Sequence, residues 1–121
     1  MNVINLLADG FATLEEYDYR VFEITLDKES IKEIKENKGF DETAGKCMMW
    51  GAEIKEADKP WKFSGEYCAD ESFKMTFIYE NDNYTLDKKC NTCGTREGDI
   101  DLVEVNEIMQ VLCKVCNGKH D

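Results

Sequence analysis

Four cysteines near the end of the chain are the residues whose type and spacing most clearly indicate chemistry. They form two CxxC pairs in the pattern C-x2-C-x19-C-x2-C, namely Cys90, Cys93, Cys113 and Cys116. Two residues between thiolates let the chain turn tightly, so that both sulfurs can face one ion. Two such pairs at this separation are typical of zinc sites. The pattern therefore predicts a tetrahedral four-thiolate zinc site with metal–sulfur bonds of about 2.3 Å.

Other uses of these cysteines are core thiols, two local disulfides or redox chemistry. A disulfide within CxxC closes a very short loop and contributes little stability, and disulfides are rare inside cells. Four protein ligands leave no position for a substrate, so we expect a structural zinc ion rather than a catalytic one. Gly94 follows the first pair and Asn117-Gly118 follows the second. We expect both to supply the positive φ that such turns need.

Residues 84–118 resemble zinc-ribbon and zinc-knuckle modules, because a strand leads into CNTCG and the segment VLCKVCNG follows after the intervening residues. The resemblance covers about the last 35 residues of the chain. It implies a structural zinc ion on the four cysteines and a module that docks protein or nucleic acid. Residues 94–112 carry one base and five acids, which disfavours nucleic acid as the partner.

The remaining candidate groups are weaker. His120 lies four residues beyond Cys116, within ligand spacing, but we expect a tail residue because four better ligands exist. Cys47 and Cys68 are expected to be small buried hydrophobic residues. No nucleophile motif and no glycine-rich phosphate loop is present in the sequence, so we predict no catalytic residues and no enzyme activity.

Composition narrows the classes of function. The chain has 121 residues, with 26 acidic and 15 basic side chains and a net charge of −11. This balance argues against direct nucleic-acid binding and against attachment to anionic lipid. No apolar run reaches the roughly 20 residues that span a bilayer, and the first residues lack the basic segment of a secretory signal. We therefore expect a soluble cytoplasmic protein.

Hydrophobic patterns predict an α+β fold, with a small antiparallel sheet, one short helix and a C-terminal four-cysteine, zinc-ribbon-like lobe. Apolar residues alternate in the predicted strands, with an irregularity near Val21 and with Phe73, Met75 and Phe77 on a core face. The short helix should begin at Asp27 or at a Ser30–Glu33 capping box and end at Gly39. Trp61 and Phe63 are assigned to a loop marked by Pro60 and Gly65. The predicted strands are 17–27, 47–55, 72–80 and 84–87, the last two joined by a turn at 81–83.

Residues 100–112 fit two structures. The spacing of their apolar residues matches one face of a helix, and it also matches two strands, 100–105 and 108–113, joined at Asn106-Glu107. The content of β-branched residues slightly favours the hairpin. The predicted organisation is an α+β core over residues 1–83 and a zinc-binding lobe over 84–121, packed as one compact unit.

Three functions remain in competition. The first is a non-catalytic binding protein whose acidic face docks a basic protein, such as an enzyme that handles nucleic acid. In size and charge alone, the chain resembles phage or mobile-element inhibitors that imitate nucleic acid, including anti-restriction and anti-CRISPR proteins. The second is an accessory zinc-ribbon subunit of a transcription or other host complex, and the third is a small enzyme that uses carboxylates. The predicted partner-binding residues combine acidic pairs with half-exposed aromatic residues: Glu15, Glu16, Tyr17, Tyr19, Asp99 and Asp101.

Overall fold

A computed structural model describes residues 3–36, 40–43 and 46–118, and of residues 40–43 and 46 only the backbone. These residues form an α+β fold, as predicted. The helices are α1 (Val3–Glu15), α2 (Lys28–Lys35) and α3 (Lys114–Gly118). The strands are β1 (Tyr19–Leu26), β2 (Phe40–Thr43), β3 (Lys46–Met49), β4 (Ala52–Glu56), β5 (Trp61–Tyr67), β6 (Asp70–Glu80), β7 (Asn83–Leu86), β8 (Ile100–Val105) and β9 (Ile108–Cys113).

Seven strands form one sheet in the order β2-β3-β4-β1-β5-β6-β7, and β8 pairs with β9 in a second sheet. Neighbouring strands are antiparallel except for β1 and β4, which are parallel. Phe63 of β5 lies between Ile24 of β1 and Phe77 of β6. Phe63 and Ile24 are fully buried, so the core lies on this face of the central strands.

Helix α1 packs on the same face of the large sheet. Its buried residues recur at helical spacing: Val3, Leu6, Leu7, Gly10 and Leu14. A Cβ atom on Gly10 would lie 2.6 Å from the Phe63 ring, so only glycine permits this close approach. No element was predicted for this segment. None of the helices in the described ranges has the length and apolar character needed to cross a membrane.

Several predicted elements are confirmed. The pairing of β1 with β5 shifts between Val21 and Glu23, which is the irregularity expected near Val21. Strand β6 turns back into β7 through Asn81 and Asp82, which both have positive φ. The open question about residues 100–112 is resolved as a hairpin, whose turn residues Asn106 and Glu107 have φ values of 53° and 69°.

Two strand assignments were wrong. Residues 47–55 are not one strand, because Trp50 and Gly51 adopt φ values of 52° and 84° and reverse the chain between β3 and β4. Trp50 is consequently 49% exposed. Residues 61–67 are not a loop but strand β5, which pairs with β1 and β6 on its two sides.

Asp27 and Ser30 were predicted as alternative N-terminal caps of α2. The helix begins after Asp27, so the Ser30–Glu33 capping box was wrong. The Ser30 hydroxyl instead donates to Asp27 Oδ1 at 2.5 Å, and Trp61 Nε1 donates to the same oxygen at 2.7 Å. The Asp27 carboxylate therefore joins the start of α2 to β5. The predicted stop at Gly39 lies outside the described residues.

Candidate metal centre

The four predicted cysteine ligands come together in space. The sulfur atoms of Cys90, Cys93, Cys113 and Cys116 all lie within 4.8 Å of one another. Cys93 Sγ and Cys113 Sγ are 3.7 Å apart, so the two CxxC pairs meet across the cluster. Three of the thiols are buried and Cys93 is exposed. This arrangement can hold a metal ion.

The first CxxC pair lies in a tight turn that the backbone holds closed. The Cys90 N–H donates to the Thr95 carbonyl at 3.0 Å, and the Gly94 N–H donates to the Cys90 carbonyl at 3.0 Å. Gly94 has a φ of 76°, which confirms the expected positive φ. A side chain at this position would be strained in this conformation, so the turn explains the glycine.

The second CxxC pair is built differently from the expectation. Strand β9 ends at Cys113 and helix α3 begins at the next residue, so Cys116 faces the cluster from one helical turn. Gly118 lies in that helix and does not adopt positive φ, so the predicted turn at Asn117-Gly118 was wrong. The Cys116 N–H donates to Cys113 Sγ at 3.5 Å, which stabilises negative charge on that sulfur.

Backbone N–H groups set the charge of the thiols. Burial opposes ionisation of Cys90, but hydrogen bonds from the Cys93, Cys113 and Thr92 backbones outweigh it and lower its pKa to about 6. The N–H of Cys116 lowers the pKa of Cys113. A hydrogen bond to Cys113, together with burial, raises the pKa of Cys116 to about 12. Cys90 is thus favoured as a thiolate, Cys113 ionises more easily than a free thiol, and a metal ion must displace a proton from Cys116.

The segment that carries the first pair is attached to both sheets. The Asp87 N–H donates to the Thr76 carbonyl of β6 at 2.8 Å. The Asn91 N–H donates to the Val111 carbonyl of β9 at 2.7 Å. With its amide nitrogen facing β6, the Asn91 side chain donates to the Lys74 carbonyl at 2.6 Å and accepts from the Val111 N–H at 3.2 Å. Residues 87–91 therefore continue along the edge of β6 beyond the end of β7.

The predicted partner-binding residues fall into two groups. Glu15 and Glu16 are exposed at the end of α1, and Tyr17 beside them is half-buried. Asp99 and Asp101 are exposed on either side of the buried Ile100, next to the cysteine cluster. Asp101 Oδ1 lies 3.9 Å from Lys88 Nζ.

Tyr19 does not belong to that surface. Its side chain is only 1% exposed, and its hydroxyl donates to the Met109 carbonyl of β9. The partner-surface assignment of Tyr19 is therefore corrected: its ring packs in the core at the junction of the two sheets. Cys68 also differs from expectation, since it is exposed rather than buried, whereas Cys47 is half-buried. His120 lies outside the described residues.

Three basic residues that were not predicted as site residues line one cleft beside the cluster: Lys74, Lys89 and Arg96. Lys89 and Arg96 flank the first CxxC pair, but Lys74 lies on β6, so no local pattern could have joined all three.

A metal ion bound by all four sulfurs has no open coordination position, which suits a structural role better than a catalytic one. No protein-family model, no curated protein and no solved structure matches this chain.

Proposed function

We propose that this protein is a non-catalytic binding protein whose C-terminal lobe is held by a structural zinc ion and whose acidic surface docks a basic partner protein. The cysteine cluster is the observation that carries the proposal. A tetrahedron with zinc–sulfur bonds of about 2.3 Å has sulfur atoms about 3.8 Å apart. The separation of 3.7 Å between Cys93 Sγ and Cys113 Sγ supports this geometry. An all-thiolate ligand set also favours zinc over harder ions.

The arrangement of the lobe supports the zinc-ribbon interpretation. One CxxC pair precedes the β8–β9 hairpin and the other pair ends it. The metal would therefore clamp the base of a two-stranded hairpin, which is marginally stable without such support. This gives the ion a purely structural task.

The charge of the chain supports a basic partner. The net charge is −11, and four thiolates with one Zn²⁺ would add about two further negative charges. A protein with this charge associates faster with a basic cleft, and enzymes that handle nucleic acid commonly carry one. Asp99 and Asp101 stand on backbone that the cluster would hold rigid: the Lys114 N–H donates to the Asp99 carbonyl at 2.9 Å. Fixed carboxylates can imitate a row of phosphates.

A second candidate function is the accessory ribbon subunit of a host complex. Val115, between the last two cysteines, is 71% exposed. An exposed apolar side chain at the rim of a rigid lobe suits contact with another protein. In this function apolar contact, rather than long-range charge, would hold the partner.

The zinc part of the proposal is tested by elemental analysis of the purified chain. We expect one zinc ion per chain. Cys113→Ser should lower that content, whereas Cys68→Ser, at an exposed cysteine outside the cluster, should not. A stably folded protein with four free thiols and no metal would contradict the proposal.

The docking part is tested by the rate of association with a purified partner captured on the immobilised chain. We expect this rate to fall steeply as salt rises, because the Debye length shrinks from about 10 Å at 0.1 M to about 3 Å at 1 M. The double variant Asp99→Lys/Asp101→Lys should slow association, as should Glu15→Lys/Glu16→Lys. Glu29→Lys/Glu36→Lys, within α2 and directly after it, is the control with the same change in net charge. Binding that survives every reversal and is insensitive to salt would favour the accessory subunit.

A further inference from the structure

A cleft of about 470 Å³ lies between the outer face of β6 and the segment that carries the first CxxC pair. Its floor includes Ser72, Lys74 and Thr76 of β6, and Phe22 of β1 adds an aromatic wall. The opposite wall is formed by residues 87–96, including Cys90 and Cys93. The cleft is therefore bounded by the large sheet on one side and by the metal centre on the other.

The charge in this cleft is opposite to that of the molecule. Three cations line it (Lys74, Lys89 and Arg96), against one carboxylate, Asp87, and two of the four sulfurs that would share the charge of about −2 on the metal centre, Cys90 and Cys93. The cations therefore still outweigh the negative groups that face them. Arg96 forms an ion pair with Asp87, so the surplus charge belongs to the two lysines. Neither Lys74 nor Lys89 forms an ion pair with any residue in the described ranges. Two unpaired cations in one concave site, on a chain with 26 acids, form a local binding site for an anion.

The other groups in the cleft suit a phosphate ester. Hydroxyl groups of Ser72, Thr76 and Thr92 border the cations. Lysine, arginine and hydroxyl groups are the side chains that commonly bind phosphate oxygens. Lys74 Nζ lies 5.7 Å from the centre of the Phe22 ring, so the charged and aromatic surfaces are adjacent. A ligand that carries both a phosphate group and a flat ring would meet both.

We propose that this cleft binds a small phosphorylated molecule of nucleotide size, through Lys74, Lys89 and Arg96. The cleft volume falls within the range of roughly 300–1,000 Å³ that small-molecule sites occupy. A nucleic-acid polymer is a poorer occupant because it would extend from the cleft onto a surface of the same charge sign as its own. The site is distinct from the acidic docking surface and does not depend on it.

The metal centre would hold this site in shape. Lys89 directly precedes Cys90, and Arg96 follows the turn that the Cys90–Thr95 and Gly94–Cys90 hydrogen bonds close. Both basic side chains thus stand on backbone that the cysteine cluster fixes. Ligand binding should therefore weaken when the metal is removed, even though the metal does not touch the ligand.

The test is a titration of the metal-loaded full chain with inorganic phosphate, AMP and ADP, followed by the chemical shifts of its backbone amides. We expect saturable shifts, confined to residues 72–76 and 87–96, with dissociation constants in the range of about 1 mM or tighter. AMP should bind more tightly than inorganic phosphate because Phe22 adds ring contact. Shifts spread over the whole surface, or no saturation by any of the three probes, would overturn the proposal.

Matched variants distinguish ligand binding in the cleft from a general effect of surface charge. Lys74→Gln and Lys89→Gln should each weaken AMP binding about tenfold, since each removes a charge-assisted hydrogen bond. Lys62→Gln removes the same charge from an exposed position on β5 outside the cleft and should change the affinity less than about twofold. Equal weakening by all three variants would overturn the assignment to the cleft. A single-stranded oligonucleotide that binds more tightly than AMP would overturn the assignment to a small ligand.

Discussion

At the scale of single residues, Tyr19 shows how a polar aromatic side chain packs in the core while its hydroxyl forms a hydrogen bond. Its ring is buried on the helix-covered face of β1, and its hydroxyl reaches the Met109 carbonyl, 90 residues away in sequence. A buried tyrosine hydroxyl usually finds such a partner, because an unpaired polar group inside a protein is costly. Tyr19 thus connects the large sheet to the hairpin that carries the metal cluster.

We predict that Tyr19→Phe lowers the free energy of unfolding by about 1 kcal/mol, because one buried hydrogen bond is lost and the ring is retained. Tyr17→Phe, at a half-buried position two residues earlier, should change the stability by less than about 0.5 kcal/mol. Denaturant melts of the metal-loaded protein measure both values. Equal effects of the two substitutions would show that the bond to Met109 contributes nothing.

The same residue predicts a dependence of stability on alkaline pH. Burial raises the pKa of Tyr19 from 10.0 to about 12, and the nearby Tyr67 adds to this shift. The neutral phenol is the form that the fold favours, so its contribution is complete below pH 10 and is lost as pH rises through about 12. Stability should therefore fall between these values.

The control for this pH dependence is Tyr19→Phe, which should show a smaller fall between pH 10 and 12. Part of the fall should remain, because burial also raises the pKa of Tyr84. Melting temperatures recorded across this range measure the difference. Identical pH profiles of the two proteins would rule out Tyr19 as the source.

At the scale of elements, strand β5 is an interior strand of the large sheet, next to the central strand β1, and its two faces differ sharply. Phe63 is fully buried under α1, whereas the neighbouring Lys62 is exposed on the opposite face. We predict that Phe63→Ala costs roughly 3–5 kcal/mol, through lost contacts and a cavity beside Gly10. Lys62→Ala should cost less than about 0.5 kcal/mol. Denaturant midpoints that differ little between these two variants would mean that β5 is not a core strand.

Strands and turns with local signatures were predictable from the sequence. The alternation in β6, the Asn81-Asp82 turn and the register break at Val21 each depend on a few neighbouring residues. The cysteine ligands were predictable for the same reason, since CxxC brings two sulfurs together through a local turn. Asn106-Glu107 was identified as a possible turn, but the hairpin itself needed the structure.

Elements that depend on distant contacts were missed. Gly65 was interpreted as a loop residue, but it lies buried in β5. A Cβ atom at this position would be 3.2 Å from the Arg20 carbonyl oxygen. Glycine inside a strand indicates such close approach as well as a turn. Helix α1 carries a periodic apolar stripe that could have revealed it. No sequence pattern marks the basic cleft, because the cleft forms only when β6 packs against residues 87–96.

At the scale of the whole molecule, the two sheets share an apolar core but differ in how far they depend on the metal. The core residues of the large sheet lie under α1, whereas β8 and β9 contribute Ile100, Val111 and Leu112 and form a hairpin of only two strands beside the cysteine cluster. Structural zinc contributes on the order of 10–16 kcal/mol in small modules, comparable with the roughly 5–15 kcal/mol that stabilises a whole domain. The smaller sheet should therefore depend on metal far more than the larger one.

We predict that a chelator releases residues 87–118 from protection against hydrogen exchange while β1 and β5 remain protected. Exchange should rise first in β8 and β9, because two isolated strands are marginally stable. Mass spectrometry of exchanged peptides, with and without restored zinc, measures this effect. The matched control is Cys113→Ser, which should already show the chelated pattern and respond little to chelator. Uniform protection after complete metal loss would contradict the prediction.

The segment 87–91 has a further consequence for solubility. It covers the edge of β6 that β7 leaves bare, through the Asp87 N–H and the Asn91 side chain. An uncovered strand edge is a template for pairing with another chain, which leads to aggregation. A molecule that loses its metal would expose this edge while its large sheet is still folded. Metal-starved protein should therefore self-associate through β6 before it unfolds. By keeping this edge covered, the metal-bound cysteine cluster also prevents aggregation between copies of the chain.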